Sequence, residues 1–154
     1  MIEVVEFILG DELYAIDINH AREIVDMIPM TPVPRGPVHI SGLINLRGEI
    51  TNIIDLTQVL NLSYSKNPEE RQIIVLMPEV AEGSNAGILV DEVYSVISTS
   101  ESNVESIKDD IALEISEYVK GIIKLESSES EKDDKLIIWI DIKKIIQNLL
   151  EKVQ

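Results

Sequence analysis

Three short motifs occur twice in this 154-residue chain, in the same order, and that duplication limits the possible folds more than any other feature. Ala15-Ile16-Asp17-Ile18 resembles Leu89-Val90-Asp91-Glu92, and Gly42-Leu43-Ile44-Asn45-Leu46 matches Gly121-Ile122-Ile123-Lys124-Leu125. Ile53-Ile54-Asp55-Leu56 matches Trp139-Ile140-Asp141-Ile142. The offset between copies grows from 74 to 79 to 86 residues, as loop insertions in the second half would make it. A unit of that size buries its own core poorly, so two copies should pack on each other. Two short barrels or curled sheets with a groove between them are therefore expected.

The local pattern favours strands. One Phe, one Trp and four Tyr leave the interior to Ile, Val and Leu, and β-branched side chains suit a pleated surface. Residues 4–9 and 13–17 read as strands turning at Gly10-Asp11, and 21–28 as a further extended segment. Pro29, Pro32, Pro34 and Pro37 then rule out a helix or a central strand, since each lacks an amide donor and fixes φ. Residues 42–56 read as two strands joined at Arg47-Gly48-Glu49, after which Asp55 can cap a short helix through about Leu60. A second strand pair is expected over 72–77 and 86–91, extended by 93–97, followed by a long connection over 98–116. Residues 118–125 and 136–140 read as a hairpin with a polar, mostly acidic tip at 126–135. Ile142, Ile145, Ile146, Leu149, Leu150 and Val153 recur at helical spacing after Asp141, which predicts an amphipathic C-terminal helix over 141–153.

Charge and composition exclude several functions. A formal net charge of −15 repels phosphate backbones and anionic lipid, so neither nucleic acid nor a membrane surface is an expected partner. The chain has no cysteine, hence no thiolate metal site and no thiol catalysis. No basic segment followed by a long apolar run marks the N-terminus, and no stretch approaches the ~20 apolar residues of a membrane span, so a soluble, cytoplasmic protein is expected. His20 and His39 are the only histidines, and His20-x-x-Glu23 lacks a third ligand cluster nearby. No phosphate-binding glycine loop or His-Glu-x-x-His is present. Asp109-Asp110 and Asp133-Asp134 lie in loop-like stretches where carboxylates stay solvated. No catalytic residue, cofactor or metal is assigned. The rival reading, a small carboxylate hydrolase or ligand-binding barrel, would need a pocket holding strongly perturbed acids.

A specific family likeness adds to this. Residues 7–18, Glu23-Ile24, Pro32-Val33-Pro34, Gly42 to Gly48 with its Asn45-Leu46-Arg47-Gly48 element, and Ile53 to Leu56 resemble the CheW family of chemotaxis coupling proteins. Gly87 to Val93 and Tyr118 to Ile122 carry the likeness into the second half. The long second-half connection departs from the family by lacking a proline-rich turn at 102–116, and the tip at 126–135 is unusually long and acidic.

The resemblance implies a mainly β fold of two SH3-like five-stranded barrels, with a short helix after the first barrel motif. It implies one CheW-like domain over 1–154, cut into a first subdomain at 12–70 and a second at 71–140 joined by strand 3–9. It also implies a non-catalytic adaptor, recruited to receptor arrays, that joins the cytoplasmic tips of methyl-accepting chemoreceptors to the regulatory domain of a CheA-type histidine kinase. A scaffold of the same fold in a non-motility pathway is the alternative. By resemblance, Arg47, Glu23, Ala21 and Ile24 form the receptor-binding surface. Without the resemblance, Arg47 is an ordinary solvated turn residue, Glu23 a solvated charge and Ile24 core. A guanidinium fork on a long stem suits gripping a helical hairpin. Gly42 and Gly48 are expected to serve backbone geometry. Met27, Ile28, Met30 and Val33 are either core or an adaptable apolar edge for kinase docking.

Overall fold

The computed structural model describes residues 1–106, 116–125 and 135–152. The expected acidic tip, apart from Lys135, most of the 98–116 connection after residue 106, and Val153 lie outside those residues. In chain order the strands are β1 (Ile2–Leu9), β2 (Glu12–Asp17), β3 (Ala21–Asp26), β4 (Ile40–Leu46) and β5 (Glu49–Asp55), then helix α1 (Leu56–Leu60). The second half runs β6 (Gln72–Leu76), β7 (Ala86–Val90), β8 (Glu92–Thr99), β9 (Val104–Glu105), β10 (Val119–Leu125) and β11 (Lys135–Ile140), then helix α2 (Ile142–Lys152). The chain is mainly β, consistent with SH3-like barrels.

The strands form two sheets of nearly identical plan. Sheet A has the order β8-β1-β2-β11-β10-β9, and sheet B the order β3-β6-β7-β5-β4. In each, an antiparallel hairpin pairs in parallel with the second strand of another hairpin: β11 with β2, and β5 with β7. The repeated motifs mark these equivalences. Ala15 and Leu89 lie on β2 and β7, Gly121 and Gly42 on β10 and β4, and Asp141 and Asp55 each precede a helix.

This topology corrects the subdomain boundaries. The cut at 70/71 puts β2 with β3, β4 and β5, yet β2 lies in sheet A. It likewise puts β6 and β7 with β8, yet both lie in sheet B. The reason is the two parallel pairings, which send the first hairpin of each half into the sheet built by the other half's later strands.

Three aliphatic clusters follow. Ile44, Ile53, Ile73, Val75 and Leu89 fill the inside of sheet B, and Val4, Ala15, Ile123 and Ile137 the inside of sheet A. The largest cluster joins the two sheets, with Phe7, Tyr14, Ile54, Leu76 and Ile88 packed beside Ile142, Ile145 and Ile146 of α2. Removing this much aliphatic surface from water drives the two units together. Two glycines allow the close approaches that complete the plan. A Cβ on Gly42 would meet the Thr31 carbonyl oxygen at 2.7 Å, and one on Gly121 would meet Val104 Cγ1 at 2.6 Å. Each glycine thus lets the preceding segment bridge to its strand, at Thr31–Leu43 and at β9–β10.

Two carboxylates, one buried and one half-buried, tie loops to this frame. Asp91, fully buried after β7, accepts from the backbone amides of Gly10 (2.7 Å), Ser65 (3.1 Å) and Lys66 (2.9 Å). Asp55 caps α1 as expected, accepting from the Thr57 amide at 3.0 Å and the Tyr64 hydroxyl at 2.6 Å. Burial and the bond to Asp55 push the Tyr64 hydroxyl far above the usual phenol range.

Candidate docking surface

The exposed end of sheet B begins with the β4–β5 hairpin. Leu46 pairs with Glu49, leaving Arg47 and Gly48 as a two-residue loop with φ of +50° and +86°. Positive φ at both positions is the primed turn that matches strand twist, and Asn-Gly is its usual sequence. The Asn45 side chain supports it by accepting from the Gly48 amide at 2.9 Å. Arginine at a left-handed position is sterically disfavoured, so the turn does not account for this residue; such outliers concentrate at functional sites.

Arg47 reaches β3, at the opposite edge of the sheet. Its Nη1 donates to Glu23 Oε2 at 3.1 Å and its Nη2 to Glu23 Oε1, a two-pronged ion pair. Arg22 lies 3.9 Å from Glu49. β3 and the β4–β5 hairpin stand at the two ends of the strand order. These contacts therefore show sheet B curled until its edges meet. The bond from Arg47 holds the Glu23 carboxyl below the usual glutamate range, and Glu23 in turn raises Arg47. The Arg47 side chain nevertheless remains 62% exposed. Its stacking face and remaining donors are open to a partner.

The other expected contact residues separate by strand alternation. Ile24 is not core: it is 43% exposed, on the solvent side of β3. Ala21 is half-buried and packs towards the joint core, so it shapes the surface without projecting from it. Met27, Ile28 and Met30 are half-buried against the interior of sheet B, and Val33 is exposed at the edge of an apolar pocket beside α2. The four residues therefore do not make one continuous exposed edge. Sequence reasoning missed Ile50, which is 66% exposed one residue beyond Glu49. No sequence signal marks it, because the apolar Ile50 is exposed and its polar neighbour Thr51 is buried, the reverse of the usual pattern.

Nothing in this arrangement is a catalytic constellation. No Asp or Glu lines the apolar pocket. No group of three or more His, Asp or Glu is gathered for a metal ion among the described residues. No helix among them is long and apolar enough to cross a membrane.

The model of the CheW-like domain matches residues 3–150. The chain belongs to the CheW-like family. Among its relatives, the "Chemotaxis protein CheW" of Treponema pallidum is 32% identical over 95% of this chain and 82% of its own length. The protein of the same name from Thermotoga maritima is 27% identical over 97% of this chain and 91% of its own. The crystal structure of the scaffolding protein TtCheW from Thermoanaerobacter tengcongensis superposes with a TM-score of 0.74 at 32% identity, covering 90% of this chain and 83% of that one. Membership of the CheW-like family places this chain among chemotaxis scaffolds rather than enzymes.

Proposed function

We propose that this chain couples methyl-accepting chemoreceptors to a CheA-type histidine kinase. The receptor's cytoplasmic tip docks on the surface of Arg47, Glu23, Ala21 and Ile24. The observation that carries this is an exposed arginine on a sterically disfavoured turn, paired in place by Glu23 and flanked by the exposed apolar side chains of Ile24 and Ile50. One charged anchor ringed by apolar contacts is the usual make-up of an interface hot spot. The regulatory domain of the kinase, expected to share this fold, docks barrel against barrel near Met27, Ile28, Met30 and Val33, of which Val33 is the exposed contact and the other three are half-buried beneath it. The protein acts in the cytoplasm at receptor arrays, where two linked sites raise the effective concentration of each partner.

Co-sedimentation with receptor-bearing membranes and kinase, singly and together, tests this reading. Arg47→Glu reverses the anchor charge at an exposed turn and is expected to lower receptor recruitment at least tenfold while the fold persists. Unchanged recruitment of a folded Arg47→Glu protein would remove Arg47 from the receptor site.

A further inference from the structure

The proline-rich segment after β3 carries a second arginine in a backbone conformation that does not suit it. Between Val33 and Gly36 the chain makes a turn closed by the Gly36 amide on the Val33 carbonyl at 3.0 Å. Pro34 takes the second position and Arg35 the third, at φ +56°. This is the pattern of a type II turn, whose third position normally holds Gly or Asn. An arginine there carries the steric cost of left-handed backbone, and such outliers concentrate at functional sites.

The loop is fastened on both sides of that turn. Thr31 and Leu43 exchange backbone hydrogen bonds of 2.8 Å each, and the Ile40 amide donates to the Pro37 carbonyl at 3.0 Å. The Asp55 amide donates to the His39 carbonyl at 2.8 Å. Pro32, Pro34 and Pro37 fix φ between these anchors. A loop held in this way has little freedom left to lose when a partner binds. Ile40 pairs with Ile54 at the base of the β4–β5 hairpin, about 20 Å from the Arg47 tip at strand rise, so loop and receptor surface are separate.

Charge and exposure define what the loop can meet. Arg35 is exposed and has no ion-pair partner among the described residues. Val33 and Val38 on either side of it are 36% and 74% exposed. Residues 27–48 contain no Asp or Glu, the longest such stretch in a chain with 28 acids and a net charge of −15. The nearby Asp55 carboxylate is engaged by Thr57 and Tyr64. Most of the chain therefore repels an acidic surface, while this loop offers it a free guanidinium between two valines. That combination fits a carboxylate set in apolar surroundings.

We propose that Arg35 is the charged anchor of the kinase-docking surface, pairing with a carboxylate of the kinase's regulatory domain while Val33 and Val38 pack around the pair. The inference rests on the reading that the regulatory domain docks near Met27, Ile28, Met30 and Val33, and adds the group that selects an acidic partner surface.

Titration of the full chain with the isolated kinase regulatory domain, read by calorimetry and amide chemical shifts, tests it. The parent chain is expected to shift amides over 27–38 and to lose affinity between about 0.1 and 1 M salt, as the pair is screened. Arg35→Asn keeps the left-handed turn, which asparagine tolerates, and should melt no lower than the parent. It should nevertheless bind the regulatory domain about tenfold more weakly, for lack of one charge-assisted contact, and with a shallower salt dependence. Arg35→Glu should bind about a hundredfold more weakly, and a single acid-to-lysine change on the regulatory domain should restore it. Receptor recruitment should be the same in all of these proteins. Parent affinity and parent salt dependence in Arg35→Asn, with shifts still over 27–38, would overturn the role of Arg35 and leave the kinase surface standing. Shifts confined to another face would overturn both.

Discussion

The barrel of sheet B is filled by Ile44, Ile53, Ile73, Val75 and Leu89, whereas the barrel of sheet A encloses a carboxylate. Glu6 sits opposite Ala15, and Ile73 opposite Leu89, the position equivalent to Ala15. Glu6 is therefore the counterpart of Ile73. It is 1% exposed, and Lys135 Nζ lies 2.6 Å from its Oε2. The small side chain of Ala15 leaves the space that Leu89 fills in the other barrel. Asp17 and Asp91 differ in the same way. Asp91 gathers three backbone amides around a buried carboxylate, while among the described residues Asp17 holds the side chains of Trp139 (2.6 Å) and Lys120 (3.0 Å) nearer the surface. The duplication preserves the strand plan, and the segment passing overhead decides what a polar residue at a given position does.

The largest break in this comparison is expected from Asp91→Ala. It leaves three part-buried amides without an acceptor, a loss of about 3 kcal/mol, against about 1 kcal/mol for Asp17→Ala; urea unfolding of the two proteins measures the gap. Next comes Lys135→Met, which strands the Glu6 carboxylate and should cost about 2–3 kcal/mol, given that water reaches Lys135. Combining it with Glu6→Ile makes barrel A resemble barrel B and should recover all but about 1 kcal/mol. A double variant as unstable as the single would show that the ion pair holds the barrel's shape.

A smaller effect is expected at the β4–β5 tip. Arg47→Asn installs the turn's preferred residue and should raise the urea midpoint slightly, although it removes the ion pair and with it the receptor recruitment proposed for Arg47. Equal or lower stability would mean that the pair, not the turn, sets the balance. The smallest effect is electrostatic. Glu23 is held below its ordinary value of 4.5, first by the bond from Arg47. The pair's contribution is therefore complete above that pH and drains away as pH falls through the lowered value. A carboxyl NMR titration should find the Glu23 midpoint below 4.5, returning towards it in Arg47→Asn.

Much of this architecture was legible in the residue pattern. The aliphatic strand runs, the Asp55 cap, the helix after Asp141 and the hairpin at Arg47 each follow from a few neighbouring residues. Strand partners across the chain were not legible. An echoed motif identifies equivalent strands, but a parallel pairing such as β5 with β7 depends on which edge a distant hairpin finds free. Nor was Asp91 legible as a tie point, because an acid after a strand reads as solvated unless the loops that reach it are known. Ile24 read as core because its type is usually buried, and only the alternation along β3 places it in solvent.

The exchange of hairpins between the two halves bears on how the molecule is made. Residues 2–17 are synthesised long before β8, β10 and β11, with which they share a sheet. Until then the newborn N-terminal hairpin lacks its sheet neighbours. Pairings this remote slow folding, but they also interlock the finished barrels. Melting either barrel is therefore expected to disturb strands from both halves of the chain.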